Sequence, residues 1–129
     1  MAEEYLRHIA GARYEPLSAG TEPKGLNPLA IEAMQEIGID ISQQKPKDVR
    51  RFLGQLIPYV VTLCDMAREH CPIFPSSFKL MHWGLEDPAA AEGTHEEKLA
   101  VFRRVRDEIA QKIQQELLPE AARLMAQPD

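Results

Sequence analysis

The sequence predicts a three-layer α/β domain, a mostly parallel sheet with helices on both faces. Three observations point there. Candidate strands and helices alternate along the chain, so successive strands are joined by crossovers long enough to hold a helix, which is how parallel strands are connected. The run "PYVVTLC" at 58–64 is rich in β-branched and aromatic residues, as in a strand buried on both faces. Thr94 and Glu97 form a capping box, after which Leu99, Phe102, Val105, Ile109, Ile113 and Leu117 recur every three or four residues, the pattern of a long amphipathic helix.

The elements follow in order. Residues 2–10 place Tyr5, Leu6 and Ile9 on one helical face and end at Gly11, a glycine C-cap. "YEPLSAG" at 14–20 reads as a short or edge strand weakened by Pro16. Asn27 then serves as N-cap and Pro28 as first helical residue of a helix that carries Leu29, Ile31, Ala33, Met34 and Ile37 and stops at Gly38. Pro46 opens a short helix ending near Gly54, the strand at 58–64 follows, and "FKLMHWG" at 78–84 is a second, less pure strand. Pro119 interrupts the long helix, so residues 1–118 are expected to form the domain and 119–129 a C-terminal extension with a last loosely held turn or two.

With 129 residues, 44% of them hydrophobic, the chain has enough material for one core and too little for two. A formal net charge of −5, with no basic cluster on an apolar face, argues against nucleic acid as a partner. No stretch approaches the apolar length of a signal peptide or a spanning helix, so the expected location is the cytoplasm, without membrane attachment. There the two cysteines, Cys64 and Cys71, are expected to be reactive, metal-binding or simply buried rather than a permanent staple.

Their spacing is informative. Were residues 65–71 one helix, Cys64 and Cys71 would stand about 10.5 Å apart along its axis at 1.5 Å per residue, whereas a disulfide needs Cα atoms within about 7 Å. The pair can close only if the intervening segment rearranges, as a redox switch does. Two half-buried hydrophobic thiols at a strand end are the plainer reading. A zinc set of Cys64, His70, Cys71 and His82 can be assembled, but its spacing matches no common finger.

Four stretches carry a family resemblance: "LSAGTEPKGLNPLAIEAMQEIGIDIS", "VVTLCDMAREHCPIFP", "HWGLEDPAA" and "FRRVRDEI", in that order and spacing. From about residue 1 to 115 the chain resembles the thioredoxin-coupled arsenate reductases of the low-molecular-weight tyrosine phosphatase type. The cysteine pair and the alanines after Asp87-Pro88 favour the reductases over the phosphatases proper. The resemblance implies a relay of three thiols. A first cysteine in a Cys-x₅-Arg loop attacks arsenate while an aspartate protonates the departing oxygen. A second cysteine, matched by Cys64, releases arsenite. A third, matched by Cys71, attacks the second, and thioredoxin reduces the resulting disulfide. Asp87 matches the acid. No bound cofactor or metal is implied. The residue types suit these steps, because a thiolate is the nucleophile in each exchange and a carboxylic acid beside an anion can protonate a poor leaving group. Asp87 also has a plainer reading as the start of a turn.

The chain departs from the family pattern in one large respect. The residues six places after Cys64 and Cys71 are His70 and Ser77, so neither thiol opens a Cys-x₅-Arg loop, and the first strand that precedes the family's matching methionine has no counterpart before Met1. Either translation has been assigned to an internal methionine, or this is a shortened paralogue that no longer reduces arsenate. The survival of Cys64, Cys71 and Asp87 together favours the first account. The family's first strand would lie between those matching 14–18 and 58–64, so its absence is expected to leave an edge that invites association. The competing function is a non-catalytic thiol module that captures arsenite or another soft metal ion through Cys64 and Cys71, or a thioredoxin client.

Overall fold

A computed structural model describes residues 1–19, 27–45, 47–55, 57–63 and 79–126. The first helix, α1, spans Ala2–Ala10 with Glu3 and Glu4 in its first turn and Arg7 in its last, the order that complements the helix dipole. Gly11 closes it, its N–H donating to the Arg7 carbonyl at 2.9 Å.

The stretch after α1 corrects an expectation. Residues 14–19 do not form a strand, and the sheet among the described residues has two strands, neither of them in this stretch. A strand exists only through a neighbour's backbone groups, and here α1 supplies side chains instead. The Arg7 guanidinium donates to the Pro16 carbonyl at 3.2 Å, and the Ser18 hydroxyl donates to Glu3 at 2.9 Å.

Helix α2, Pro28–Gln35, forms as its caps dictate. The Asn27 side chain accepts from the Leu29 N–H at 2.9 Å. At the other end the Ile39 N–H reaches the Met34 carbonyl and the Gly38 N–H the Gln35 carbonyl, each at 3.0 Å, with Gly38 at φ +80°, a Schellman stop that suits glycine. The helix expected from Pro46 to Gly54 shrinks to one 3₁₀ turn, Val49–Phe52; Pro46 itself lies outside the described residues. Asp48 accounts for the short form. Its carboxylate caps the Arg50 N–H at 2.9 Å and also grips the Arg50 guanidinium at 2.7 Å, two local bonds that favour a tight turn.

Strands β1, Tyr59–Thr62, and β2, Lys79–His82, pair in parallel with Tyr59 opposite Lys79 and Thr62 opposite His82. The ladder runs on past the strand ends, with the Trp83 N–H bonded to the Thr62 carbonyl at 3.0 Å and the Leu85 N–H to the Leu63 carbonyl at 2.6 Å. Helix α3, His95–Lys112, starts at Thr94, whose hydroxyl accepts from the Glu97 N–H at 3.2 Å. It buries Leu99, Phe102, Val105 and Ile109, the stripe the sequence pattern selects.

The end of the chain is more continuous than Pro119 suggests. A π turn over Ile113–Leu117 leads directly into helix α4, Leu118–Ala126. Proline disrupts a helix by lacking an N–H and by crowding the carbonyl four residues back, and it is tolerated in a first turn. The wider π turn falls just before Pro119 and leaves it in the first turn of α4, so the axis continues. Against the strands, the Tyr59 hydroxyl donates to the Glu120 carbonyl at 3.3 Å and the Lys79 ammonium pairs with the Glu120 carboxylate at 3.2 Å.

Two apolar clusters hold the fold. One joins α2, Ile39 and Ile41 to Leu99 and Phe102; the other joins Leu85 to Val105, Ile109 and Ile113. Met1 and Tyr5 touch both, so α1 bridges them. Outside the core, Arg106 clamps α3 to α2, donating to the Ala33 carbonyl at 2.8 Å and to Glu36 at 3.0 Å.

Candidate active site

Parallel pairing decides where the chemistry can gather. Both strands run the same way, so the chain after β1 and the chain after β2 leave from one edge, the carboxyl edge where open α/β sheets place ligands. From β1 the chain passes Thr62 and Leu63 to Cys64, and from β2 it passes Trp83, Gly84 and Leu85 to Asp87. Cys64 and Cys71, with the His70 of the zinc alternative, lie outside the described residues. Among the described residues no group of three or more His, Cys, Asp or Glu is placed to hold a metal ion.

Asp87 is described. It is exposed, and it caps the 3₁₀ turn Pro88–Ala90, its carboxylate accepting from the Ala89 N–H at 3.0 Å. That is the turn-starting geometry of Asp-Pro. One oxygen is committed to the cap, and among the described residues that is the carboxylate's one hydrogen bond. The loop before it is well held: Leu85 is buried, and the Glu86 carboxylate pairs with Arg104 of α3. Gly84 makes the bend, at φ +60°, where a β-carbon would also stand 3.4 Å from the His82 ring.

Sequence pattern does not assemble two polar clusters, the first of which lies at this edge. The Thr62 side chain, 5% exposed, bonds the His82 imidazole Nδ1 at 2.7 Å directly across the strand pair. Glu3, 7% exposed, gathers Ser18 at 2.9 Å, Gln44 at 2.8 Å, Arg7 at 3.3 Å and Lys47 at 3.4 Å. Burial by itself would raise the Glu3 pKa, but the Ser18 hydroxyl and the Lys47 and Arg7 cations outweigh it and hold the carboxyl below its ordinary range. The Thr at the end of an otherwise apolar strand was a usable sign of the first cluster. Glu3 looked like an ordinary first-turn acid, and its partners lie up to 44 residues away.

A cavity of about 430 Å³ opens beside β2 and the π turn, lined by Lys79, Met81, Trp83, Gln115 and Glu116 among others. It includes neither Asp87 nor the end of β1. The Trp83 indole N–H is buried without a hydrogen-bond partner among the described residues.

A small parallel sheet packed with helices, with a loop from each strand leaving one carboxyl edge, defines a phosphatase-like α/β domain. The chain belongs to the low molecular weight phosphotyrosine protein phosphatase family, whose model matches residues 1–127. It is 51% identical over 113 residues to an arsenate reductase of Halalkalibacterium halodurans, covering 88% of this chain and 81% of that one. Among solved structures it superposes on an arsenate reductase in the oxidized state with TM-score 0.75 at 28% identity, covering 88% of this chain and 82% of the other. It also superposes on a thioredoxin-dependent arsenate reductase of Corynebacterium glutamicum with TM-score 0.57 at 31% identity, over 88% of this chain and 54% of that one. No helix among the described residues is long and apolar enough to cross a membrane.

Proposed function

We propose that this chain supplies the resolving cysteine pair and the acid of an arsenate reductase that works in the cytoplasm by thiol relay and is recycled by thioredoxin, with no bound cofactor; the first thiol belongs to a Cys-x₅-Arg loop that these 129 residues do not contain, so alone they are inactive. The observation that carries the reading is 51% identity to an arsenate reductase over most of the chain, together with the retained Cys64, Cys71 and Asp87. In this reading the Cys64 thiolate attacks the sulfur of the arseno-thiolate adduct. Its new S–S bond displaces the arsenic, which leaves as arsenite carrying the bonding electron pair. Cys71 then attacks Cys64, frees the first thiol and leaves the Cys64–Cys71 disulfide, which a thioredoxin dithiol reduces. Asp87 is the acid that protonates the oxygen leaving arsenate, and its exposed place in the loop from the carboxyl edge suits contact with an oxyanion.

The test reads the second half of the relay. Mild oxidation should close an intramolecular Cys64–Cys71 disulfide that reduced thioredoxin reopens within minutes. On the reading of residues 65–71 as one helix in the reduced form, their hydrogen exchange should be faster in the oxidised form, because the length of such a helix exceeds the reach of the bond. Failure to form the disulfide, or equal protection in both states, would remove the relay and leave the thiol-module reading.

A further inference from the structure

The cavity of about 430 Å³ beside β2 stands apart from the candidate active site, since neither Asp87 nor the end of β1 lines it. Its volume lies within the range of small-molecule sites. Side chains two residues apart on an extended strand share a face, so Lys79, Met81 and Trp83 line one wall. Gln115 and Glu116 of the π turn and Glu120 of α4 line the other. Winding of this width is rare and recurs at functional sites.

These walls offer an electron-rich ring and negative charge. The Trp83 indole N–H is buried, so it is closed to anything that enters, and the indole can present only its carbon rings to the cavity. Among the lining side chains two carboxylates, Glu116 and Glu120, stand against one ammonium, Lys79. Lys79 is held by Glu120 at 3.2 Å. Glu116 pairs with Lys112 at 2.8 Å, but the two side chains are 46% and 39% exposed, and an exposed pair at this helical spacing is weak. Glu116 can therefore take a second cation, and the chain's net charge of −5 draws cations in preference to anions. We propose that this cavity binds a small organic cation with an apolar body, an alkyl- or arylammonium. The Trp83 ring and the Met81 thioether receive the body and one face of the cation, and the Glu116 carboxylate receives its charge. The site is separate from the thiol relay and does not depend on it.

Trp83 is the chain's sole tryptophan, so tryptophan fluorescence reports on this cavity alone. The probe is benzyltrimethylammonium chloride, titrated into the reduced protein at neutral pH and low salt, with benzyl alcohol and phenylmethanesulfonate as its neutral and anionic counterparts. The cation should change the emission saturably, with the change complete by about 10 mM. The two counterparts should bind at least about fivefold more weakly, because neither carries a positive charge for the ring and the carboxylate. Glu116→Gln keeps the shape of the side chain and removes its charge; it should weaken the cation about threefold and leave benzyl alcohol unaffected. Trp83→Phe, followed by ligand-observed NMR, should also weaken the cation, and if that variant fails to fold, the probe series and Glu116→Gln still decide. Emission that never saturates, equal affinity for the three probes, an unchanged cation affinity in Glu116→Gln, or an equal loss there for benzyl alcohol overturns the proposal.

Discussion

The Ser18 hydroxyl donates a 2.9 Å hydrogen bond to Glu3, tying the stretch after α1 back to the first turn of that helix. The other oxygen of Glu3 takes Gln44 at 2.8 Å, so one carboxylate fastens three separate stretches of chain. Glu3→Gln should therefore cost about 2 kcal/mol, the usual value of hydrogen bonds to a charged group in a poorly hydrated place. Urea unfolding at pH 7 checks it, and a loss under 0.5 kcal/mol would mean that the cluster is ornamental.

The same carboxylate makes the loss depend on pH. Its folded pKa lies below its unfolded one, so its contribution is present above about pH 4.3 and fades as pH falls through the folded value. The stability gap between the native chain and Glu3→Gln should be constant from pH 7 to 5 and narrow steadily below about pH 4. A gap that widened on acidification would reverse the sign of the argument.

Asp87 can be separated into its two jobs. Asp87→Ala removes the cap on Ala89 and should cost up to about 1 kcal/mol, while Asp87→Asn keeps an acceptor there and should stay within about 0.5 kcal/mol. If both variants matched the native chain in stability, the cap would carry no weight. In a protein that reduces arsenate, Asp87→Asn should still slow the first chemical step, since an amide cannot donate the carboxyl proton.

Gly84→Ala should destabilise by about 1–2 kcal/mol, because a left-handed backbone is costly for alanine. The new methyl also meets the His82 ring at 3.4 Å. Thermal unfolding checks the magnitude.

These 129 residues contain no Cys-x₅-Arg loop, so by themselves they should reduce arsenate no faster than background in a thioredoxin-coupled assay. The covalent and electrostatic parts that such a loop supplies are worth far more than tenfold in rate. Turnover that survived both Cys64→Ser and Cys71→Ser would contradict the whole relay.

What was legible in the sequence was local. Asn27, Pro28 and Gly38 bounded α2, and Thr94 with Glu97 opened α3, because caps act over three or four residues and carry their own signal. The strand expected at 14–20 was lost among the described residues because pairing is not a property of a segment; Pro16 and Ser18 answer to α1 instead. Pro119 does not end the helical run, since its effect depends on the backbone four residues earlier, which the π turn rearranges. For the site, Asp87 could be found by its motif, whereas Thr62–His82 arises from strand register and the Glu3 cluster from contacts with Ser18, Gln44 and Lys47, 15 to 44 residues away.

The π turn also fixes a phase. Five residues, Ile113–Leu117, carry the chain between α3 and α4 with wider winding than an α-helix has. At 3.6 residues per turn, each residue added to or taken from a helix rotates everything beyond it by about 100°. Removing one residue from this turn would give a more regular helix and swing Glu120 away from Tyr59 and Lys79, which it now meets at 3.3 and 3.2 Å. The irregular turn thus works as an angular spacer, and the length of this stretch is under tighter constraint than the identity of its exposed side chains.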